Sequence, residues 1–559
     1  MGVYSLPMTR HSGLADSEKH LDTEFLKKPP QPVSGIGVRG ASSHSAGRCD
    51  LPFLRIFLCV VCAGGVSWAQ RGPAMTPGAA ARFLDQATWG ATPNSVAHLQ
   101  RIGPIAWLRE QFRTPPSTIP DVADTATSLA PVRQQFFVNA VSGGDQLRQR
   151  VAFALSEIWV VSNEKLKPPA IPPYLRLLSD HAFGNYFDLM TAVTLSPAMG
   201  HYLDMVDNDK PAAGEEANEN YAREFNQLFT IGTVMLNPDG TLLLSSSGQP
   251  VPTYDADVVQ EFALAFTGWT YAPLAGAPSR KHNPENWNAP MVAVESNHDE
   301  TAKTLLNGQT LPAGQTAEQD LNGALQIVFE HPNVGPFVCQ QLIEHLVTSN
   351  PSPAYVQRVA SVFDDDGAGV RGDLQAVIRA ILLDDEARAG DPPETPAENE
   401  GHLREPVLYL AGLLRALQAG VTATNGLPQN TAAEDQIVYA PPSVFNYFSP
   451  GYRVDDGKLL GPEFQIQSPS VAMVRADLVN TLVYRGIAGV QLDLTPFAEL
   501  AATPDALLDR LSTLLFHGQM PDDLRATIVT AMAAAPTNMQ KAQAAIYLAA
   551  SSSQYQVER

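Results

Sequence analysis

The sequence predicts a predominantly α protein: a large multi-helix domain with one small β-hairpin and long irregular loops. Apolar residues recur at helical spacing through most of residues 80–550. The strand–helix alternation that builds a parallel sheet is missing, and no repeat of fixed period divides the chain.

In chain order, Ala80–Leu84 and Ile105–Phe112 are expected as short helices, joined through Gly90–Pro93 and Gly103-Pro104. Residues 146–161 place Leu147, Val151, Ala154, Leu155, Ile158 and Val161 on one buried helical face. Pro168, Pro169, Pro172 and Pro173 break the chain before a helix at Tyr174–His181, and residues 182–205 continue in helical pieces around Pro197. Asn218 as N-cap and Gly232 as stop bracket the next helix, with Tyr221, Phe225, Leu228 and Phe229 on one face and Glu219, Arg223 and Gln227 on another. Residues 241–244 and 249–253 around Ser247-Gly248 read as the hairpin, and Asp255 caps a helix that stops at Gly268. Residues 271–300 are irregular, a length that suits a functional rim or lid. Helices follow over 319–330, 334–347, 354–363, 374–383 and 405–418; an aromatic loop region spans 435–462; helices over 471–484, 505–516, 521–534 and 539–550 close the chain.

The 559 residues carry 37 Lys+Arg against 58 Asp+Glu, a balance that argues against a nucleic-acid partner, since phosphate binding needs concentrated Lys and Arg. Residues 53–68 read FLRIFLCVVCAGGVSW, and Ser67 and Ala69 put small residues at −3 and −1 before Gln70. A secretory signal peptide over 51–69 is therefore expected, with an exported, periplasmic or secreted product and no transmembrane anchor after cleavage. A short membrane anchor is the alternative, but the stretch falls below the ~20 residues a span needs. Lipidation at Cys62 is another, against which Val61 is not the small residue such sites prefer. Residues 1–50, rich in Ser, Gly and Pro, are expected to be a disordered or mis-called extension, with initiation near Val38. Cleavage removes 7 of the 37 Lys+Arg and 5 of the 58 Asp+Glu, which leaves a net charge of −23. It also leaves Cys339 alone, expected as a buried small hydrophobe, so neither an intramolecular disulfide nor a thiolate metal cluster is expected. Residues 70–390 form the N-terminal helical part, 391–400 an acidic linker, and 401–559 the C-terminal helical part of the same domain.

Several motifs align together. Residues 82–90 read RFLDQATWG, 146–162 QLRQRVAFALSEIWVVS, 218–232 NENYAREFNQLFTIG and 253–269 TYDADVVQEFALAFTGW; His298-Asp299-Glu300-Thr301-Ala302-Lys303 follows, then HPNVGPFVCQQLIEHL from His331 and LREPVLYL from Leu403. The chain resembles the bacterial exported family called domain of unknown function 1800, over nearly all of residues 70–559. The resemblance implies an exported, mostly helical bacterial protein and carries no activity with it. It also implies a functional link to exported sulfatase-like proteins, beside which members are encoded. Thr301 stands where the family's His-Asp-x-Gly-x-Lys pattern has glycine, which puts the local turn in doubt.

The polar cluster Glu219, Asn220, Arg223 and Glu224 is the leading candidate for catalysis, with Lys303 nearby in the motif set. Two carboxylates in different environments run general acid/base chemistry, and Arg223, one turn after Glu219, orients that carboxylate or clamps an anion. The competing reading is an ion-pair network that joins helices. His201 and Asp204, three apart, with His298-Asp299 from the loop, are candidate ligands for a divalent metal. A histidine that merely hydrogen-bonds is the commoner case. Residues 364–369 invite a calcium reading but lack the EF-hand spacing and its Glu, and read as a glycine-rich turn. No Gly-x-Ser-x-Gly, Rossmann or P-loop pattern occurs, so no nucleotide cofactor is expected. Trp269, Tyr271 and Trp287, and Phe445, Tyr447, Phe448 and Tyr452, are either core or stacking surfaces for a sugar or peptide, with Trp269 as a wall. Arg150 and Glu157 share a face of their apolar helix and read as a buried pair, structural or supporting Glu219 and Glu224. Two functions follow: a hydrolase or lyase acting on an extracellular polymer through the carboxylate/Arg/His cluster, or a non-catalytic cell-envelope or secreted binding or structural protein.

Overall fold

The computed structural model describes residues 75–394, 397, 400–454 and 457–559. The extension over 1–50 and the signal segment over 51–69 lie outside the described residues. Helices dominate, as expected, and the strands are two-residue antiparallel pairs. Among the described residues, no helix is long and apolar enough to cross a membrane.

Proline starts helices here more than it stops them. Pro172 and Pro173 do not precede a helix at 174 but occupy the first turn of Ile171–His181, and Pro77, Pro93, Pro104, Pro353, Pro406, Pro469 and Pro504 do likewise in theirs. The first turn has no intrahelical acceptor for the missing N–H, so proline costs nothing there. Several short helices and two of ten residues or more escape the sequence reading. Pro93–Ile102 is announced by a capping box between Thr92 and Ser95. Ala130–Ser142 buries Val132, Phe136, Phe137, Ala140 and Val141 around much of its girth, so it lacks a polar stripe.

The centre of the fold is Pro406–Ala416, in which every residue is buried. Its single charge, Arg415, is held by main-chain carbonyls, with Nε donating to Gly90 O at 2.7 Å and Nη1 to Val141 O at 2.9 Å. Gln146–Ile158 packs on Ile171–His181 and on Val334–Leu346, which in turn packs on Pro353–Asp364. The chain ends are tied together. Arg404 pairs with Asp85 at 2.7 Å and Glu558 at 3.2 Å, His517 Nε2 lies 2.7 Å from Asp85, and strand Val557–Glu558 pairs with His402–Leu403.

The helix expected from Asn218 to Gly232 is α only over Asn220–Glu224 and π over Phe225–Thr230. Glu219 takes the cap position, and Asn218 instead accepts from the Asn220 N–H at 3.0 Å. Gly232, at φ +71°, is the stop. The hairpin closes through Ser245 N to Gln249 O at 2.8 Å, and residues 234–236 pair alongside it. Residues 365–370 are the expected turn: the Asp365 and Asp366 carboxylates accept from the N–H groups of Gly367, Gly369, Ala368 and Val370.

Gly268 is among the glycines that the packing requires. Gly268 sits at φ +88°, and a Cβ there would lie 2.8 Å from the His298 Cβ. Gly268→Ala is expected to destabilise the fold by about 1–3 kcal/mol, the cost of a non-glycine residue in that region of backbone space. A urea midpoint equal to the parent's would refute this.

Candidate active site

The structure distributes the predicted site residues over three places. Glu219 and Arg223 form an i,i+4 ion pair at the surface, with Gln260 donating to Glu219 at 2.6 Å. Glu224 is buried with Oε2 unpartnered, and burial raises its carboxyl above the usual range against the opposing charge of Arg223. Asn220 donates to Asp204 at 3.0 Å. His201 and Asp204 do not share a helical face, because the helix ends at Tyr202 and Asp204 is at φ +60°. His201 Nδ1 instead meets Tyr271 OH at 2.7 Å, and Asp204 pairs with Lys165 at 2.8 Å.

His298 and Lys303 are fully buried in the third place. His298 Nδ1 is 3.0 Å from Thr267 O and its Nε2 3.1 Å from Asp320, which Lys303 Nζ also meets at 2.7 Å. Lys303 further donates to the carbonyls of Asp299 and Thr301 at 2.6 and 2.8 Å. Thr301, the family departure, keeps the turn: its N–H and hydroxyl both donate to the Asp299 carboxylate. Lys303 is thus enclosed by protein acceptors rather than presented to a cleft. Among the described residues, no three His, Cys, Asp or Glu side chains stand together as metal ligands, so His201, Asp204, His298 and Asp299 do not converge on an ion. Trp269, Tyr271 and Trp287 are buried core.

The open cleft with chemistry in it lies elsewhere. A cavity of about 610 Å³, its open mouth included, is lined by Glu157, Glu344, His345 and Glu463 with Phe445 and Phe448. Two helix C-termini deliver the reactive groups: Gln146–Ile158 ends just past Glu157, and Val334–Leu346 just past His345. The negative end of each helix dipole disfavours a carboxylate there. Glu405, at the cap position of Pro406–Ala416, lies behind Glu157 and hydrogen-bonds to it. The aromatic loop contributes Asn446, held at φ +69°, whose Nδ2 donates to Glu157 Oε1 at 2.9 Å. The second oxygen, Glu157 Oε2, is 3.2 Å from His345 Nδ1 and has no hydrogen-bond partner.

These surroundings set the protons. Burial pushes Glu157 up to about 7, against the hydrogen bonds from Asn446 and Glu405 and the charge of Arg150. Burial and the neighbouring Glu157 charge raise Glu405 well above the carboxylate range, and the two carboxyls hydrogen-bond to each other. Burial pushes Glu344 up to about 7 as well, and lowers His345 below the ordinary imidazole value. Beneath them, Arg150 is fully buried, donates to the His345 carbonyl and leaves Nε and Nη1 unpartnered. Glu463 Oε2 is also buried and unpartnered; its Oε1 is 3.5 Å from His402 Nδ1. The result is two carboxyls raised to about 7, Glu157 and Glu344, a third raised acid behind Glu157, and several buried polar atoms without a partner in the protein.

The family described as Protein of unknown function (DUF1800) matches residues 82–557. The chain belongs to this family. No curated protein and no solved structure matches it. Within the DUF1800 span, the cleft collects residues from motifs far apart in sequence: Glu157 from the first long one, His345 from the segment begun at His331, and Glu405 from LREPVLYL. The sequence reading had paired Arg150 with Glu157 and noted Phe445 and Phe448, but it missed Glu344, Glu405 and Glu463. The available signal for Glu405 was an acid between an arginine and a proline at the head of an all-apolar helix.

The same shifts fix how stability depends on pH. Glu157, Glu344 and Glu434 are all pushed up to about 7 by burial, with Arg475 opposing at Glu434. A raised acid binds its proton more tightly when folded, so its contribution is full below the unfolded value near 4.5 and is lost as pH rises through about 7. His331, pushed down to about 4 by burial and then Arg371, acts oppositely over the same window. His201 and His345, lowered by burial, act as His331 does, but the raised acids, with Glu224 and Glu405 among them, outnumber these histidines, so the urea midpoint is expected to be higher at pH 5 than at pH 8. A midpoint that is flat or rises toward pH 8 would contradict the proton assignments.

Proposed function

We propose that this is an exported enzyme, a hydrolase or lyase acting on an extracellular polymer by general acid/base catalysis in the Glu157–His345 cleft. The observation that carries the reading is the Glu157–Glu405 pair. The two carboxyls hydrogen-bond to each other, burial raises both, Glu157 to about 7, and Glu157 Oε2 lies 3.2 Å from His345 Nδ1 without a hydrogen-bond partner. A base poised near the working pH gives the best combination of correct protonation and driving force. Glu157 takes a proton from substrate or water; His345, neutral and 3.2 Å away, accepts it or returns one to the leaving group. Asn446 holds Glu157 in position and Arg150 compensates the developing negative charge. Export is supported by the apolar stretch over 53–68 and the small residues before Gln70.

The test is a product assay on residues 70–559 with cellulose, mannan, chitin, alginate, pectin and casein. New reducing ends, absorbance of unsaturated uronates at the non-reducing end, and free amines are read in parallel. Turnover of one polymer, lost on changing Glu157, is the expected result. Binding of a polymer with no bond broken at any pH from 5 to 9 would instead favour a secreted binding protein.

A further inference from the structure

The stripe of Gln146–Ile158 that ends at Glu157 lines two more cavities. Asp145, Gln149, Ala152, Phe153, Ser156 and Glu157 succeed one another along it at helical spacing. A cavity of about 570 Å³, mouth included, takes Asp145, Gln149, Ala152, Phe153 and Ser156 as one wall. A narrower one of about 370 Å³ shares Phe153, Ser156 and Tyr439 with the first, and Glu157 and Asn446 with the carboxylate cleft. The three adjoin along about 18 Å of helix, at 1.5 Å per residue.

The far cavity has a lining of definite chemistry. Asn139 is occupied within the protein, accepting from Gln135 Nε2 at 2.7 Å and donating to Thr118 O at 2.9 Å, and Gln149 Nε2 donates to Asp145 at 2.7 Å, so the lining leaves the side-chain oxygens of Gln135 and Gln149 as acceptors. Trp89, Phe136 and Phe153 form an aromatic floor, in which the rings of Trp89 and Phe136 meet edge to face at 5.0 Å. Trp89 is buried, and its indole Nε1 has no acceptor within the protein. The one charge in the lining, Asp145, is occupied by the Ser117 N–H at 2.7 Å and Gln149 Nε2 at 2.7 Å. Among the described residues that line it, none is Lys or Arg. Such a wall offers nothing to neutralise a polyanion. It suits hydroxyls, which can donate to the side-chain oxygens of Gln135 and Gln149, and pyranose faces, which pack on aromatic rings. A chain with 58 Asp+Glu against 37 Lys+Arg also repels anionic polymers.

We infer that the substrate is a neutral polysaccharide, and that the Trp89–Gln149 cavity is a distal subsite holding the chain several sugars away from the bond at Glu157. This rests on the acid/base reading only for the location of that bond; binding in the distal cavity is independent of it.

The test is calorimetric titration of residues 70–559 with cellohexaose, mannohexaose, chitohexaose, hexagalacturonate and penta-alanine. The expected result is that one neutral hexasaccharide binds at least tenfold tighter than its own trisaccharide and than hexagalacturonate. Gln149→Ala should weaken that hexasaccharide at least fivefold, and Ser156→Trp, which puts a large ring into the wall that two of the cavities share, at least tenfold. Gln149 is half exposed, so the alanine variant keeps the test valid if the tryptophan variant does not fold. Absence of binding by every neutral hexasaccharide, tighter binding of hexagalacturonate or penta-alanine, or wild-type affinity in Gln149→Ala would each overturn the inference. Hexasaccharide binding together with a fully active Glu157→Gln would remove the acid/base reading and leave this one standing. Turnover of a polyanion without hexasaccharide binding would do the reverse.

Discussion

Glu157→Gln is expected to lower kcat/KM by about 10²–10⁴-fold, the usual contribution of a positioned general base. The same change should make the protein more stable at high pH. Above pH 7, the parent must hold an ionised carboxylate where burial resists it; glutamine keeps an oxygen for Asn446 and carries no charge. The gain at pH 8 is expected to be on the order of 1–3 kcal/mol by urea titration, and to shrink toward zero at pH 5, where Glu157 is protonated. Parent activity should fall as pH drops through about 7, because the ionised form is the working one. A variant that keeps parent kcat/KM within threefold would end the catalytic reading. A loss of activity accompanied by a loss of stability at pH 8 would show that Glu157 supports the fold instead. The opposite movement of the two quantities is therefore what identifies a functional residue here.

Arg404→Met carries the largest expected loss of stability. Arg404 is buried against the Tyr555 ring, 5.0 Å from its centroid, and bonds to Asp85, Glu558 and the Tyr555 carbonyl. With His517, it holds the Asp85 carboxyl far below the ordinary carboxylate range. Removing it leaves two buried acids faced only by imidazoles, Asp85 by His517 and Glu558 by His402 at 3.9 Å. Breaking a buried pair on one side costs about 3–5 kcal/mol, and this arginine serves two partners. Because those partners come from the first described helix and the last strand, the loss should appear as a lowered Tm for the whole cooperative transition. Adding Asp85→Asn to Arg404→Met should restore part of the loss, since the stranded charge is then gone. A fall below 1 kcal/mol, or a double variant no better than the single, would contradict this account.

The helices were legible because each buries one stripe, and stripes are periodic. Leu374–Leu383 falls where the spacing put it, and Val334–Leu346 within one residue. Ala130–Ser142 was hidden because it is apolar on several sides, and the two-residue strand pairs because no period fits in two residues. Cys339 is buried, as its apolar run indicated.

The candidate site was legible only in fragments. Density of polar residues drew attention to Glu219, Arg223 and Glu224, but a helix as polar as that one has a solvent face, and Glu219 and Arg223 occupy it. The group we propose as the base, Glu157, is one acid on a largely buried helix, where nothing in the local sequence marks it out. The sequence by itself determined the helical class, the family, the acidic charge and the scarcity of cysteine, because these follow from local spacing and composition. Only the tertiary structure decided which acids titrate near neutrality. A carboxyl's proton affinity depends on the water removed from around it and on the charges brought beside it. At Glu157 the hydrogen bonds come from Asn446 and Glu405 and one of the two charges from Glu463, all 248 or more positions away in the chain; only Arg150 is near in sequence.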